Sequence, residues 1–240
     1  MKKHLFNLVA VAILLMTVLA ACKKDPKGDG GGGGGGYVID AKNIIGDATD
    51  GISIVKALIV TDEGYDPEMG YYWNEYEAGA AQFYNNGFRI NLCAIIPDEY
   101  LESAYDILED EYLTLSDPNA KINILYIVAY NSENEEIGDF LMRDRNNDMY
   151  CDAGYMYADR NFTAKGSESY GDYTYACDCN FKRGWNLIYI YDDDYVEKIT
   201  TQKPAGVNLQ WHYLGGGCWD DSPKPAKQSK LFSRLGKTSY

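Results

Sequence analysis

Asp144, Asn146, Asp148 and Asp152 stand at positions 1, 3, 5 and 9 of one short stretch, with Tyr150 at position 7. Side-chain oxygens at the first four positions and a backbone carbonyl at the other form the kind of donor set that wraps a hard cation such as Ca²⁺. The stretch is a candidate calcium clamp; a solvated acidic turn is the alternative, since Asp and Asn favour turns in any case. Cys93, Cys151, Cys177, Cys179 and Cys218 offer thiols for disulfides in an exported chain, with at least one left over. Cys177 and Cys179 fall on one face of an extended segment. Tyr71, Tyr72 and Trp73, with Tyr155 and Tyr157 further on, are candidate ligand-binding residues. Such rings stack on sugars or grip a protein partner, and they also stabilise sheets as cross-strand pairs. No nucleophile elbow, phosphate loop or dinucleotide fingerprint is present, and the only histidines are His4 and His212.

The Asp144 stretch resembles EF-hand-like and dockerin-type calcium loops, with two departures. Met149 replaces the glycine of position 6, and Tyr155 replaces the closing carboxylate of position 12. At the other end of the chain, Lys2 and Lys3 precede an apolar run over residues 5–19, too short for a comfortable membrane span. Leu19-Ala20-Ala21-Cys22 then resembles the lipobox of bacterial lipoproteins. That resemblance implies cleavage of a signal peptide, residues 1–21, and acylation of Cys22 on its thiol and new amino group. Several acyl chains anchor durably, at about 0.8 kcal/mol per buried methylene. Cys22-Lys23-Lys24-Asp25 and the unbroken glycines 30–36 are similar to the start of Bacteroidetes lipoproteins. They imply a lipidated tether, residues 22–36, on the outer membrane, at the cell surface or on the periplasmic face. Residues 87–92 and 184–189 are similar to stretches of uncharacterised β-sandwich lipoproteins from the same bacteria, which implies a fold neighbourhood and no residue roles.

These groups need a scaffold, and the composition allows one. Of 240 residues, 46% are hydrophobic, which excludes wholesale disorder. The formal charge of −14 argues against a nucleic-acid partner, because an acidic surface repels phosphate. Residues 37–214 read as many short strands. Residues 52–60 and 122–130 are apolar on both faces, as central strands are. Asn85-Asn86-Gly87 predicts a hairpin between 78–84 and 88–96, and Lys182-Arg183-Gly184 a second one between 173–181 and 185–191. Residues 139–142, 154–163 and 207–214 complete the strands. Pro97-Asp98-Glu99, followed by Leu101, Ala104, Tyr105 and Leu108 at helical spacing, predicts one helix over 97–110. The expected fold is mainly β: an antiparallel β-sandwich, immunoglobulin-like or jelly-roll-like, with one short helix in a connection. Residues 215–240 form a basic tail.

The function expected from these readings is a lipid-anchored, non-enzymatic cell-envelope protein that binds a glycan or an envelope protein. The alternatives are an assembly subunit of a surface complex and a polysaccharide hydrolase. The last would need two carboxylates about 5–10 Å apart in one cleft.

Overall fold

The computed structural model describes residues 37–46, 49–66, 70–108, 112–144, 150–192 and 195–215, with the side chains of 62–66 and 70–73 excepted. The signal segment 1–21, Cys22, the tether 22–36, Cys218 and the tail beyond Gly215 lie outside the described residues.

The described strands are β1 (Val38–Lys42), β2 (Ile54–Asp66), β3 (Gly70–Gln82), β4 (Gly87–Asn91), β5 (Glu102–Ser103), β6 (Thr114–Leu115) and β7 (Lys121–Tyr130). They continue with β8 (Glu136–Asp144), β9 (Tyr150–Ala158), β10 (Phe162–Tyr170), β11 (Tyr173–Phe181), β12 (Gly184–Asp192), β13 (Val196–Thr200) and β14 (Gln210–Gly215). A five-residue helix, α1 (Ala104–Leu108), lies between β5 and β6. The protein is mainly β, a sandwich of open sheets rather than a closed barrel, with one short helix in a connection. β1 and β4 form a two-stranded antiparallel sheet. The other strands form one large sheet in the order β3-β2-β7-β8-β9-β12-β13-β11-β10-β6, with β5 on the edge of β7 and β14 on the edge of β8.

Strand alternation divides the interior in two. On β7, Leu125, Ile127 and Ala129 face one side, while Ile122 and Ile124 face the other. β9 and β12 do the same, with Tyr155, Tyr157 and Tyr189 on the first side and Met156, Ile188 and Ile190 on the second. The first core is closed by the small sheet, whose Ile39, Ala41, Phe88 and Ile90 are all buried. Its rings interlock: Phe88 lies 5.0 Å from Phe140 and 5.5 Å from Trp211, each such pair adding about 0.5–1.5 kcal/mol beyond area burial. The second core is closed by α1, β10 and β11, with Phe162 stacked on Phe181 at 4.6 Å. Burial on both faces is why β7 and β12 read as nearly continuous apolar runs.

Four local expectations are corrected. Asn85 and Asn86 do make a tight turn, with φ of 50° and 53° and Tyr84 N–H donating to Gly87 O. Yet β4 leaves β3 at that corner and pairs with β1 instead. Gly87 makes room for this, since a Cβ there would sit 2.4 Å from the Ala41 carbonyl oxygen. At the second supposed hairpin, β11 and β12 do not pair: β13 lies between them, parallel to β11 and antiparallel to β12. Asn186 holds that turn by accepting from Lys182 N–H and donating to the carbonyls of Lys182 and Gly184. The helix over 97–110 shrinks to a 3-10 turn at Asp98–Tyr100 and the five residues of α1. Between them Glu102 and Ser103 pair with Ile122 and Lys121, because β2 covers that edge of β7 only down to Leu125. The run 154–163 is also two strands, broken at 159–161.

Candidate functional site

The outer face of β2, β7 and β8 carries the second set of even-numbered β7 side chains, Tyr126, Val128 and Tyr130. The register lays Val128 against Asp139 and Tyr130 against Glu136 on β8. It lays Leu58 against Tyr126 on the other edge of β7, and Glu75 of β3 against Val60 of β2. The result is a groove with a floor of Leu58, Val60, Tyr126 and Val128 and walls of Glu75, Glu136 and Asp139, enclosing about 60 Å³.

Its electrostatics are one-sided. Burial, then the neighbouring Glu136, pushes Asp139 up to about 7 from an ordinary 3.8. Burial and Glu75 raise Glu136 as well. Tyr130 is pushed up to about 12 by burial and by four surrounding carboxylates, Glu136, Glu75, Asp139 and Glu77. Among the described residues, no ion pair or hydrogen bond reaches the side chains of Glu75, Glu136 or Asp139. Lys56 sits at one end, 4.4 Å above the Tyr130 ring, and its Nζ donates to Asn134 Oδ1 at 3.1 Å. Carboxylates that are crowded, partly desolvated and unpaired favour either a proton or an arriving cation. The chain matches no protein-family model, and no curated protein or solved structure is significantly similar to it. The chemistry of this groove therefore stands on its own geometry.

The residues singled out from sequence lie elsewhere. Tyr155 and Tyr157 are 9% and 3% exposed and belong to the first core. Tyr155 packs edge-on against Tyr37 and Tyr157 against Trp185, so their rings fill the interior rather than line a surface. Tyr71, Tyr72 and Trp73 lie on β3 opposite Tyr65, Gly64 and Asp62, and their side chains are outside those described. Asp144 and Asp152 sit on the paired strands β8 and β9, where Asp144 opposes Cys151 and Arg143 opposes Asp152. Alternation sends Asp144 and Asp152 to opposite faces of the sheet, so the two carboxylates do not converge on one ion. Each has another partner: Asp144 accepts from Asn208 N–H at 2.6 Å, and Asp152 pairs with Arg143 at 3.1 Å. Tyr150 is exposed at the start of β9, and Asn146 and Asp148 lie outside the described residues. Among the described residues no three His, Cys, Asp or Glu side chains gather as a metal site.

The four described cysteines are buried, and Cys151, Cys177 and Cys179 are free thiols. Cys93 and Cys151 lie in the first core, Cys177 and Cys179 in the second, so the central sheet separates the pairs. Cys177 and Cys179 are two residues apart on β11, a spacing of roughly 6.6 Å along a strand, whereas a disulfide needs Cβ atoms about 4 Å apart. Cys177 Sγ donates to Ala164 O, and burial with the surrounding carboxylates pushes Cys151 up to about 11. Both facts describe packed thiols and not reactive ones.

Glu75, Glu136 and Asp139 escaped the sequence reading. Glu75 and Glu77 alternate on one face of β3, and Asp139 interrupts an apolar strand, which are local signals of an acidic face. Nothing local says that β3 and β8 flank β2 and β7.

Proposed function

We propose that this chain is a lipid-anchored cell-envelope binding protein that holds a basic segment of a partner protein on its acidic groove, without catalysing a reaction. The observation that carries the reading is the unpaired set of Glu75, Glu136 and Asp139 around an apolar, tyrosine-bearing floor. Lysine and arginine satisfy both halves of such a groove, because their methylene stems pack on apolar surface while the cationic head meets carboxylate. Tyr155 and Tyr157, the rings that would stack on a sugar, are interior, which favours a basic segment over a glycan. The anchor at Cys22 and the glycine tether are part of the same proposal, holding the body clear of the bilayer.

The test is calorimetric titration of the full-length protein with an oligolysine peptide, beside a glycan array. Micromolar binding that weakens at least tenfold in a Glu136→Gln, Asp139→Asn double variant and falls with salt supports the reading. Binding unchanged in that variant, or glycan binding alone, overturns it. Radiolabelled palmitate incorporation that vanishes in Cys22→Ala tests the anchor. A hydrolase is the second reading, favoured by Asp139 near 7, where a general acid is best tuned. Release of reducing ends from envelope polysaccharide, lost in Asp139→Asn, would put it first.

A further inference from the structure

We propose that the groove is the docking surface for the chain's own basic C-terminal segment, residues 222–240, so that an outside partner has to displace it. This rests on the groove being a binding surface, as argued above, but it names the occupant and adds a competition.

Position and charge both point to that segment. β14 runs along the edge of β8 with Leu214 opposite Asp139 and Gly215 opposite Gly138. The described chain therefore ends beside one wall of the groove and two register positions from Glu136. From Gly215 to Lys224 is nine residues, roughly 30 Å when extended. The groove spans β8, β7, β2 and the Glu75 wall on β3, at most four strand spacings from β14, or about 19 Å. Reach is ample. Residues 222–240 carry Lys224, Lys227, Lys230, Arg234 and Lys237 and no acid, on a chain whose net charge is −14. Leu231, Phe232 and Leu235 lie among these bases. A basic segment with interspersed apolar side chains matches a groove whose walls are carboxylates and whose floor is Leu58, Val60, Tyr126 and Val128. Tethering raises the effective concentration of such a segment to the millimolar range, so even a weak contact is populated.

The experiment is carbodiimide cross-linking of the full-length protein, mixed in equal parts from ordinary and nitrogen-15-labelled preparations and mapped by mass spectrometry. The reagent joins a lysine amine to a carboxylate as an amide with loss of water, so only groups in contact are linked. The expected result is links from tail lysines to Glu75, Glu136 or Asp139 within one molecule, disappearing at 1 M salt. Links only between labelled and unlabelled molecules, links only to other carboxylates, or none at all overturn the proposal. A second arm replaces Lys224, Lys227, Lys230, Arg234 and Lys237 with glutamine and repeats the oligolysine titration. Displacement predicts binding several-fold tighter than in the native chain; equal affinity overturns it. Cross-links without oligolysine binding in either protein would retain the docked tail and remove the partner reading, so the two ideas fail separately.

Discussion

Two halves of one face of β7 meet different fates. At its start, Ile122 and Ile124 lie under a second layer made by α1, β10 and β11, where Phe162 stacks on Phe181 and the two thiols of β11 are sealed in. At its end, the described residues that cover Val128 and Tyr130 are side chains of the same sheet, the stem of Lys56 and the carboxylates of β8 and β3. The backbone is equally regular in both places, and the alternation is unbroken. What differs is whether a described stretch of chain returns to that face. Where it returns, burial contributes stability and chemistry is silenced; where no described stretch does, carboxylates gather on an apolar floor.

The comparison breaks most readily in the covered half. Phe181→Ala deletes a fully buried ring from the second core, and the expected loss is about 3–5 kcal/mol, read as a lower urea midpoint. Oligolysine affinity, measured below that midpoint, is expected to stay within twofold. A parallel fall in affinity would mean that the two halves are one unit. Next comes Asn186→Ala, which leaves the carbonyls of Lys182 and Gly184 without their donor and Lys182 N–H without its acceptor. About 1–3 kcal/mol is expected from so many unmet backbone groups, again with the groove unmoved.

The covered half was also the more legible one. Residues 122–130 announce a two-faced strand, and the mainly β sandwich with one short helix follows from such runs and the turns between them. Partner choice was not legible. Asn85-Asn86-Gly87 specifies a turn by its left-handed backbone, but whether β4 continues along β3 or crosses to β1 depends on Ala41 approaching Gly87, forty-six residues away in sequence. Similarly, Lys182-Arg183-Gly184 reads as a hairpin because no local feature reports that β13 will insert between β11 and β12. The site suffered more than the fold. Tyr155 and Tyr157 read as surface aromatics because their strand is taken to have a wet side, whereas both of its faces are buried at residues 155–158. Spacing alone made Asp144 and Asp152 look convergent, whereas a paired strand sends residues 144 and 152 to opposite faces.

In the open half the effects are smaller and depend on pH. The folded value of Asp139, about 7, lies above its ordinary 3.8, so between those limits the native state keeps a proton that the unfolded chain has released. Stability therefore declines as pH rises through that window and stays lower above it. Asp139→Asn is neutral at every pH and is expected to change little near pH 4 while stabilising at pH 8. After allowance for solvent screening, about 1–2 kcal/mol is expected, or a rise of a few degrees in melting temperature. A shift of the same size at both pH values would show that Asp139 is not held protonated.

Smallest in energy, and sharpest in sign, is Lys56→Ala. Lys56 lies at one end of the groove, 4.4 Å from the Tyr130 ring, and it ties the β7–β8 turn through Asn134. Removing it forfeits a cation–π contact worth about 0.5–1 kcal/mol at a partly exposed site, so stability is expected to fall slightly. Groove affinity is expected to move the other way. With one positive charge fewer at that end of the groove, the local potential becomes more negative, and oligolysine should bind a few-fold more tightly at low salt with the gain fading as salt is added. In the covered half no substitution is expected to move the two readouts in opposite directions, since loss of packing lowers stability and leaves binding alone. A groove kept for an arriving cation is expected to trade one for the other, and a Lys56→Ala protein that loses both would place Lys56 in the scaffold and take the groove's charge out of its function.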